Sequence, residues 1–207
     1  MSPPGEPLLI VISAPSGAGK TTLCGNFLKV RPGVERAITC TTRSPRAGER
    51  DGADYHFLSL DDFERRVAAG EFLEHALVHG NRYGTLRREV ADRLAKGRDV
   101  LLNIDVQGAE SVRATALQDE RLRPALVTVF LTTATPQELE RRLRGRGTDS
   151  DQVIAARLAV AREELSHWRH FDYLIVSVSP EADRTRLEAI VDAEKLRTRR
   201  QKLPAFD

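Results

Sequence analysis

Residues 8–23 read L-L-I-V-I-S-A-P-S-G-A-G-K-T-T-L, and this stretch decides the fold. Residues 8–13 are almost wholly apolar and rich in β-branched side chains. They predict a strand buried on both faces, as in a parallel sheet covered by helices. A glycine-rich turn follows, and Lys20 begins a helical pattern that ends at Pro32. The order of strand, loop and helix places the loop at the carboxyl edge of a sheet.

The loop has the chemistry to bind a polyphosphate. Gly17 and Gly19 can adopt positive φ, so that backbone N–H groups point at one spot, which the helix N-terminus also favours for an anion. Lys20 adds a cation that reaches the β- and γ-phosphates, and the Thr21 hydroxyl is placed to bind Mg²⁺. The spacing is G-x-x-x-x-G-K-[ST], with Ala14 at the first glycine position. A glycine-rich turn without a ligand is the alternative, which the strand before and the helix after disfavour.

Composition sets limits on the class of protein. The 207 residues fit one domain with room for inserted subdomains. A net charge of +2, from 32 basic and 30 acidic residues, gives no reason to expect nucleic acid or membrane as a partner. The two cysteines lack metal-ligand spacing, and no signal peptide or long apolar span is present, so we expect a cytoplasmic protein. The sequence gives no indication of oligomeric state.

Three more apolar runs have the pattern of the first strand: residues 99–105, 126–131 and 173–178. Their alternation with helical segments predicts an α/β fold with a doubly wound parallel sheet, which binds ligands at the carboxyl ends of its strands. A basic segment, residues 197–202, follows the last helix, and we expect it to be a frayed, solvated helix end.

Residues 35–95 interrupt this alternation and are interpreted as an insertion. Residues 35–54 are short of large apolar side chains, so we do not expect them in the core. The elements expected after them are a strand at 55–58, a helix at 60–70, a strand at 71–78, a turn and loop at 80–84, and a helix that ends at Gly97. Ser59 and Thr85 are the expected N-caps of the two helices.

A second distinctive region follows Thr135, which with Pro136 begins a helix that ends at Gly145. Another helix begins near Asp151. The two helices are rich in arginine and have little apolar surface, so we predict a lid that closes over phosphates.

Seven strings of the sequence together resemble the guanylate kinases, particularly the bacterial ones. In chain order they are A-P-S-G-A-G-K-T-T, T-T-R-S-P-R-A-G-E, G-A-D-Y-H-F, F-L-E-H-A, G-N-R-Y-G-T, N-I-D-V-Q-G and R-R-L-R-G-R-G-T. The resemblance implies transfer of the γ-phosphoryl group of ATP to GMP, and to dGMP as well, with Mg²⁺. It also implies a P-loop NTPase core (1–34, 96–136 and 170–207), a GMP-binding region (35–95) and a helical lid (137–169).

The resemblance also assigns residues to the acceptor nucleotide. Glu74 would read guanine, whose N1–H and 2-amino group a carboxylate accepts as a pair, whereas adenine lacks both donors. Asp105 would contact either the guanine amino group or hydrated Mg²⁺. The full set implied for GMP is Thr39, Arg43, Arg46, Tyr55, Glu74, Tyr83, Gly84, Thr85 and Asp105, in which Arg43, Arg46, Tyr55 and Tyr83 hold the phosphate.

Residues on the donor side are implied in the same way. Thr21 would be the metal ligand. The ATP-binding set is Ala14, Pro15, Ser16, Gly17, Ala18, Gly19, Lys20, Thr21 and Thr22. The catalytic set is Lys20, Arg43, Arg142, Arg146 and Arg157, in which the three last arginines neutralise charge on the transferring phosphoryl group.

Two positions depart from the family pattern. Asn103 stands where the family has the first aspartate of D-I-D-x-Q-G, which removes a charge from this motif. Residues 177–180 read S-V-S-P where the family has N-D-D near the adenine, so we expect altered donor selectivity at most.

Three other functions fit parts of the sequence. A guanylate-kinase-like scaffold domain that holds peptides would lack a working phosphate loop, whereas Lys20 and Thr21 are present here. A sugar-phosphate kinase would not combine Glu74 with Arg43. A nucleotide-hydrolysing switch would need a residue that orients water.

Overall fold

The structure is a computed structural model that describes residues 6–78, 80–145 and 151–201. The strands are β1 (Leu9–Ser13), β2 (Val34–Arg36), β3 (Cys40–Thr41), β4 (His56–Phe57), β5 (Phe72–Val78), β6 (Asn81–Leu86), β7 (Asp99–Asn103), β8 (Leu126–Thr133) and β9 (Tyr173–Ser177). The helices are α1 (Lys20–Val30), α2 (Leu60–Ala68), α3 (Arg87–Ala95), α4 (Val106–Leu117), α5 (Leu122–Ala125), α6 (Pro136–Arg144), α7 (Asp151–Ser166) and α8 (Pro180–Lys195). Single 3₁₀ turns lie at Trp168–His170 and Thr198–Arg200.

The core is a five-stranded parallel sheet in the order β2-β7-β1-β8-β9. Alternate side chains of β1 enter two separate apolar clusters, because successive residues of a strand point to opposite faces. Ile10 and Ile12 pack on the face covered by α1 and α8. Leu9 and Val11 pack on the face covered by α3 and α4. The doubly wound parallel sheet predicted from the apolar runs is confirmed.

Strand β2 was not predicted. It pairs in parallel with β7, with Val34 opposite Asp99, so Glu35 and Arg36 belong to the core sheet although the sequence placed them in the insertion. The strand is three residues long at the sheet edge, and a segment so short and polar has no periodicity to detect.

A second sheet is formed by the insertion, in the order β4-β3-β6-β5. The turn predicted at Gly80 is confirmed, with φ of 79°, but the loop predicted at 82–84 was wrong, because residues 81–86 form β6, which pairs antiparallel with β5. The prediction that Thr85 caps the next helix was also wrong, since α3 begins after Leu86 and Thr85 lies in the strand. The Ser59 cap is confirmed, because its hydroxyl accepts a hydrogen bond from the Asp62 N–H at 3.1 Å.

Helix α6 is attached to the core by two leucines. Leu139 and Leu143 are buried, and a side-chain carbon added at Gly17 would lie 2.9 Å from Leu143 Cδ2. On α7, Ile154 and Ala161 are buried as well. The expectation of little apolar surface in these helices was therefore wrong. The Thr135 cap is confirmed, with its hydroxyl accepting from the Glu138 N–H at 3.2 Å.

The basic segment after α8 was also wrongly predicted. Arg200 is only 1% exposed, and its guanidinium donates to the Pro124 carbonyl at 2.8 Å and to the Glu194 carbonyl at 3.1 Å. It also pairs with the carboxylate of Glu194, itself 1% exposed. The segment is thus fixed to α8 and to the start of β8 rather than solvated.

Replacing Arg200 with alanine is expected to lower the free energy of unfolding by about 3 kcal/mol, because buried Glu194 loses much of its compensating charge. Urea unfolding measures the difference. Arg199→Ala is the matched control, since its guanidinium lies 3.9 Å from the same carboxylate with its side chain 54% exposed. We expect a loss below about 1 kcal/mol there. Equal losses for both variants would contradict the structural role of Arg200.

Candidate active site

The loop between β1 and α1 has the predicted conformation. Gly17 and Gly19 have φ of 91° and 103°, a backbone conformation that residues other than glycine rarely adopt. Between them, the Ala18 N–H donates to the Pro15 carbonyl at 3.1 Å. Ala14, at the first glycine position of the pattern, is buried where a methyl group fits the core. Lys20 is the first residue of α1. The loop therefore ends at the N-terminus of α1, where free backbone N–H groups favour binding of an anion.

Lys20 is half-buried beside the carboxyl edge of the sheet. Its Nζ donates to the Ile104 carbonyl at 2.5 Å, and burial lowers the pKa of the ammonium group. Asp105, Glu164 and Glu74 act in the opposite direction, because their negative charges favour the protonated lysine. The lysine is thus a half-buried cation close to three carboxylates.

A cavity lies between Lys20 and the sheet of the insertion. It brings together six of the residues predicted from the sequence: Lys20, Thr39, Tyr55, Glu74, Tyr83 and Asp105. Arg36 and Asn103 also line the cavity and were not among the predicted site residues. Arg36 donates to the Ala53 carbonyl at 2.7 Å, so it joins the core sheet to the turn before Tyr55.

Glu74 is the buried acid of this cavity. Its side chain enters from β5, and the Thr85 hydroxyl on the neighbouring β6 donates to Oε1 at 2.7 Å. Burial raises the pKa of Glu74 to about 7, although the hydrogen bond from Thr85 opposes this shift. Asp105 caps α4, where its carboxylate accepts from the Gly108 N–H at 2.7 Å. The carboxylate of Glu74 is thus held in a fixed position with its charge incompletely compensated.

Arg43 and Tyr55 of the loop after β3 lie beside Tyr83 of β6. Arg43 donates two hydrogen bonds of 2.9 Å to Glu49, and its guanidinium carbon lies 5.5 Å from the Tyr55 ring centre. The rings of Tyr55 and Tyr83 meet edge to face at 6.2 Å. Arg46 is exposed at the start of a turn that its own N–H closes onto Glu49 at 2.7 Å. Three cation or phenol groups are thus gathered, with Arg46 at their rim.

Close packing between β5 and β6 requires glycine at position 84. A side-chain carbon there would lie 2.8 Å from Phe72 Cδ1 and 3.0 Å from the Glu74 carbonyl oxygen. Only glycine lets β6 approach β5 this closely, between Tyr83 and Thr85. The close approach brings the Thr85 hydroxyl within reach of Glu74.

Arg142 reaches the phosphate loop from α6. Its Nη1 donates to the Ala18 carbonyl at 3.0 Å and to the Ser177 hydroxyl at 3.2 Å, while its Nε pairs with Glu138 at 2.7 Å. A second cavity lies here, lined by loop residues together with Arg142, Ser177 and Asp183. Ser177 donates to Asp183 at 2.6 Å, so the departure from N-D-D forms part of this wall.

Of the two other arginines predicted for the lid, the structure describes only one. Arg157 is half-buried on α7. Arg146 lies outside the described residues. Helix α7 also contributes Glu164, whose Oε2 accepts from the Ser16 N–H at 3.3 Å. This contact was not predicted, because nothing in the sequence around Glu164 distinguishes it from a solvated helix glutamate.

Comparison with known proteins decides the family. A profile of the guanylate kinase family matches residues 6–194 of the chain. The chain belongs to the guanylate kinase family. Its activity is the ATP-dependent phosphorylation of GMP to GDP, which decides against the three other functions considered from the sequence.

Individual guanylate kinases resemble the chain over nearly its whole length. Those of Paramagnetospirillum magneticum and Thiobacillus denitrificans are each 45% identical to it, over 96% and 97% of this chain and 91% and 93% of theirs. The crystal structure of guanylate kinase from Anaplasma phagocytophilum has a TM-score of 0.76 at 33% identity, covering 95% of this chain and 90% of that one. The fold and the family are thus supported by both comparisons.

Proposed function

We propose that GMP binds in the cavity between Glu74 and Lys20, that ATP binds at the glycine loop, and that phosphoryl transfer occurs beside Lys20. The observation that carries this proposal is the position of Lys20, which begins the helix after the loop and also lines the Glu74 cavity. An ammonium group there is adjacent to both nucleotides. The attacking atom is an anionic phosphate oxygen of GMP, so no general base is needed.

Guanine would be recognised at Glu74. Its carboxylate accepts the N1–H and 2-amino donors as a pair, and the Thr85 hydrogen bond keeps it oriented. Adenine presents no donor at N1, so it would leave a buried carboxylate unpaired. Thr39 and Asp105 line the same cavity and would complete the contacts to the base.

The GMP phosphate would lie at Arg43, Arg46, Tyr55 and Tyr83. Arg43 is held ready by Glu49 and Tyr55, and a guanidinium fork suits two phosphate oxygens. A phosphate would compete with Glu49 for this arginine.

The donor triphosphate would be held by residues 14–22. Thr21 lies at the exposed start of α1, and Asn103 and Asp105, whose side chains carry oxygen atoms, line the neighbouring cavity. Oxygen donors beside a phosphate loop fit Mg²⁺, with Thr21 as its protein ligand. Bound there, Mg²⁺ would neutralise charge on the β- and γ-phosphates. Arg142, Arg157 and Arg146 would add positive charge from the helical lid of residues 137–169.

The proposal names two small nucleotides as substrates and does not depend on whether the protein also meets nucleic acid or a membrane. No helix in the described part of the chain has the length and apolar character needed to cross a bilayer. Cys24 and Cys40 are free thiols, which suits the cytoplasm that we propose as the compartment.

Release of ADP, measured by a coupled assay with four acceptors, tests the proposal. GMP and dGMP are expected to turn over with Mg²⁺, and EDTA is expected to abolish turnover. AMP and a sugar phosphate should react at least about 10³-fold more slowly, because neither satisfies the buried carboxylate. Turnover of AMP as fast as GMP would contradict the role of Glu74.

Arg142→Ala is expected to lower kcat by about 10²-fold, because its charge reaches the phosphate loop. Arg141→Ala is the matched control, since that side chain is 74% exposed and pairs with the same Glu138. We expect the control to keep kcat within about twofold of the unchanged enzyme. Similar losses in both variants, measured at saturating ATP and GMP, would show that Arg142 acts only through the stability of α6.

A further inference from the structure

The carboxylate of Glu74 is confined on two sides. Thr85 donates to one oxygen, Oε1, at 2.7 Å. The other oxygen, Oε2, faces the backbone of Gly108, the third residue of α4. A side-chain carbon added at Gly108 would lie 2.7 Å from Glu74 Oε2, closer than real side-chain carbons approach, and 3.3 Å from Glu74 Cδ, which is a tight contact.

Gly108 has no conformational reason to be glycine. It lies in the first turn of α4, where the backbone is helical and has no positive φ that would favour glycine. Glycine is among the poorest helix formers, and alanine is the best. The glycine therefore disfavours its own helix, and the space that it leaves is filled by the Glu74 carboxylate. Its N–H also fixes Asp105, whose Oδ1 would lie 3.2 Å from the added carbon.

We propose that Gly108 is a positioning residue that determines purine specificity by leaving room for the Glu74 carboxylate in the orientation that accepts guanine. This inference rests on the proposed reading of guanine by Glu74. The neighbours of the added carbon are oxygens on the two acids of the cavity, so any side chain there displaces one or both. The ligand class concerned is a purine monophosphate with donors at N1 and at the 2-amino group.

Gly108→Ala tests the inference, with GMP and IMP as acceptors. IMP retains N1–H but lacks the 2-amino group, so the ratio of kcat/KM for the two reports on how the carboxylate is aimed. We expect KM for GMP to rise about 10-fold, corresponding to one misplaced hydrogen bond, and the GMP-to-IMP ratio to fall. KM for ATP should be unchanged, and the thermal midpoint should be equal or higher because alanine favours the helix.

Gly25→Ala is the matched control, since Gly25 lies within α1 and an added carbon there meets nothing within 4 Å. This variant should keep both KM values. In a Glu74→Ala background the oxygen at 2.7 Å is gone and only the longer contact to Asp105 Oδ1 at 3.2 Å remains, so Gly108→Ala should then change KM for GMP much less than in the unchanged protein. If Gly108→Ala folds only together with Glu74→Ala, that result too would support the contact.

Two results would overturn the inference. One is a Gly108→Ala enzyme with the GMP-to-IMP ratio of the unchanged protein. The other is a loss of the same size in the Glu74→Ala background, which would show that Gly108 acts independently of Glu74. Failure of the proposed function is distinguished by the unchanged enzyme, which would then show no preference for GMP over AMP at all.

Discussion

Replacing Lys20 with methionine is expected to lower kcat by about 10²–10³-fold, because the half-buried ammonium group is placed to stabilise charge on the transferring phosphoryl group. Methionine keeps most of the buried stem, so it leaves no large cavity. The folded protein should not be destabilised, because burial already lowers the pKa of Lys20 and so disfavours its charge. The loss therefore reports on chemistry.

Binding of GMP in the absence of ATP separates the two substrates in the Lys20 variant. We expect the Kd for GMP, measured by calorimetry, to stay within about threefold, since Glu74 and the phosphate-binding residues are retained. Lys29→Met, on the exposed end of the same helix, is the control and should leave kcat unchanged. A parallel loss of GMP affinity and kcat would contradict the assignment of Lys20 to the donor side.

Replacing Glu74 with glutamine is expected to weaken GMP binding by about 1–3 kcal/mol, because the amide NH₂ would face a guanine donor. Selectivity against AMP should fall with it. Glu71→Gln is the control, because Glu71 is exposed just before β5 and pairs with Arg66 at 2.7 Å. A Glu74→Gln enzyme with full guanine preference would show that another group reads the base.

The same variant should be more stable than the unchanged protein at pH 8. Glu74 has its pKa raised from 4.5 to about 7, so between these values the folded protein binds more protons than the unfolded chain. Stability from this group therefore falls as pH rises through that window, and the cost is complete above it. At pH 8 the difference approaches about 3 kcal/mol, and it should vanish towards pH 4.5.

Acceptor binding should follow the same titration. Protonated Glu74 has lost one of its two acceptor oxygens, so KM for GMP in the unchanged enzyme should rise as pH falls from 8 to 6. The glutamine variant should lack this contribution and keep only the pH dependence of the GMP phosphate, whose second pKa is about 6. A flat profile in the unchanged enzyme would contradict the link between the charge of Glu74 and guanine binding.

Elements with strong local signals were predictable from the sequence. The apolar run of β1 and the glycines at 17 and 19 identify the sheet and loop, because few structures bury such a run beside such a turn. The caps at Ser59 and Thr135 were found in the same way. These features depend on neighbours in sequence, so local chemistry suffices.

Elements that depend on distant partners were missed. Strand β6 is polar and contains Gly84, and it is a strand only because β5 and β3 pair with it. Arg200 is buried only because Glu194 and the carbonyl of Pro124 surround it. Hydrophobic periodicity does not indicate such partners. Secondary-structure propensity alone favours a loop for β6 and a solvated tail for the segment that contains Arg200.

The site shows the same division. The loop and Lys20 follow from spacing, whereas the cavity residues were identified only through resemblance to the guanylate kinases. Arg36 and Gly108 were not singled out, because their positions matter only once the inserted sheet is folded over the core. Their relation to Glu74 and Tyr55 is visible only in three dimensions.

The most direct test of the central claim is to measure the pKa of the Glu74 carboxyl group by ¹³C NMR, with and without GMP. The carboxyl signal is assigned by its absence in Glu74→Gln. We expect a pKa of about 7 in the free enzyme, since burial disfavours the charge. GMP should lower it, because two guanine donors stabilise the carboxylate, and AMP should not. An unchanged pKa with saturating GMP, or an equal fall with AMP, would contradict the reading of guanine by Glu74.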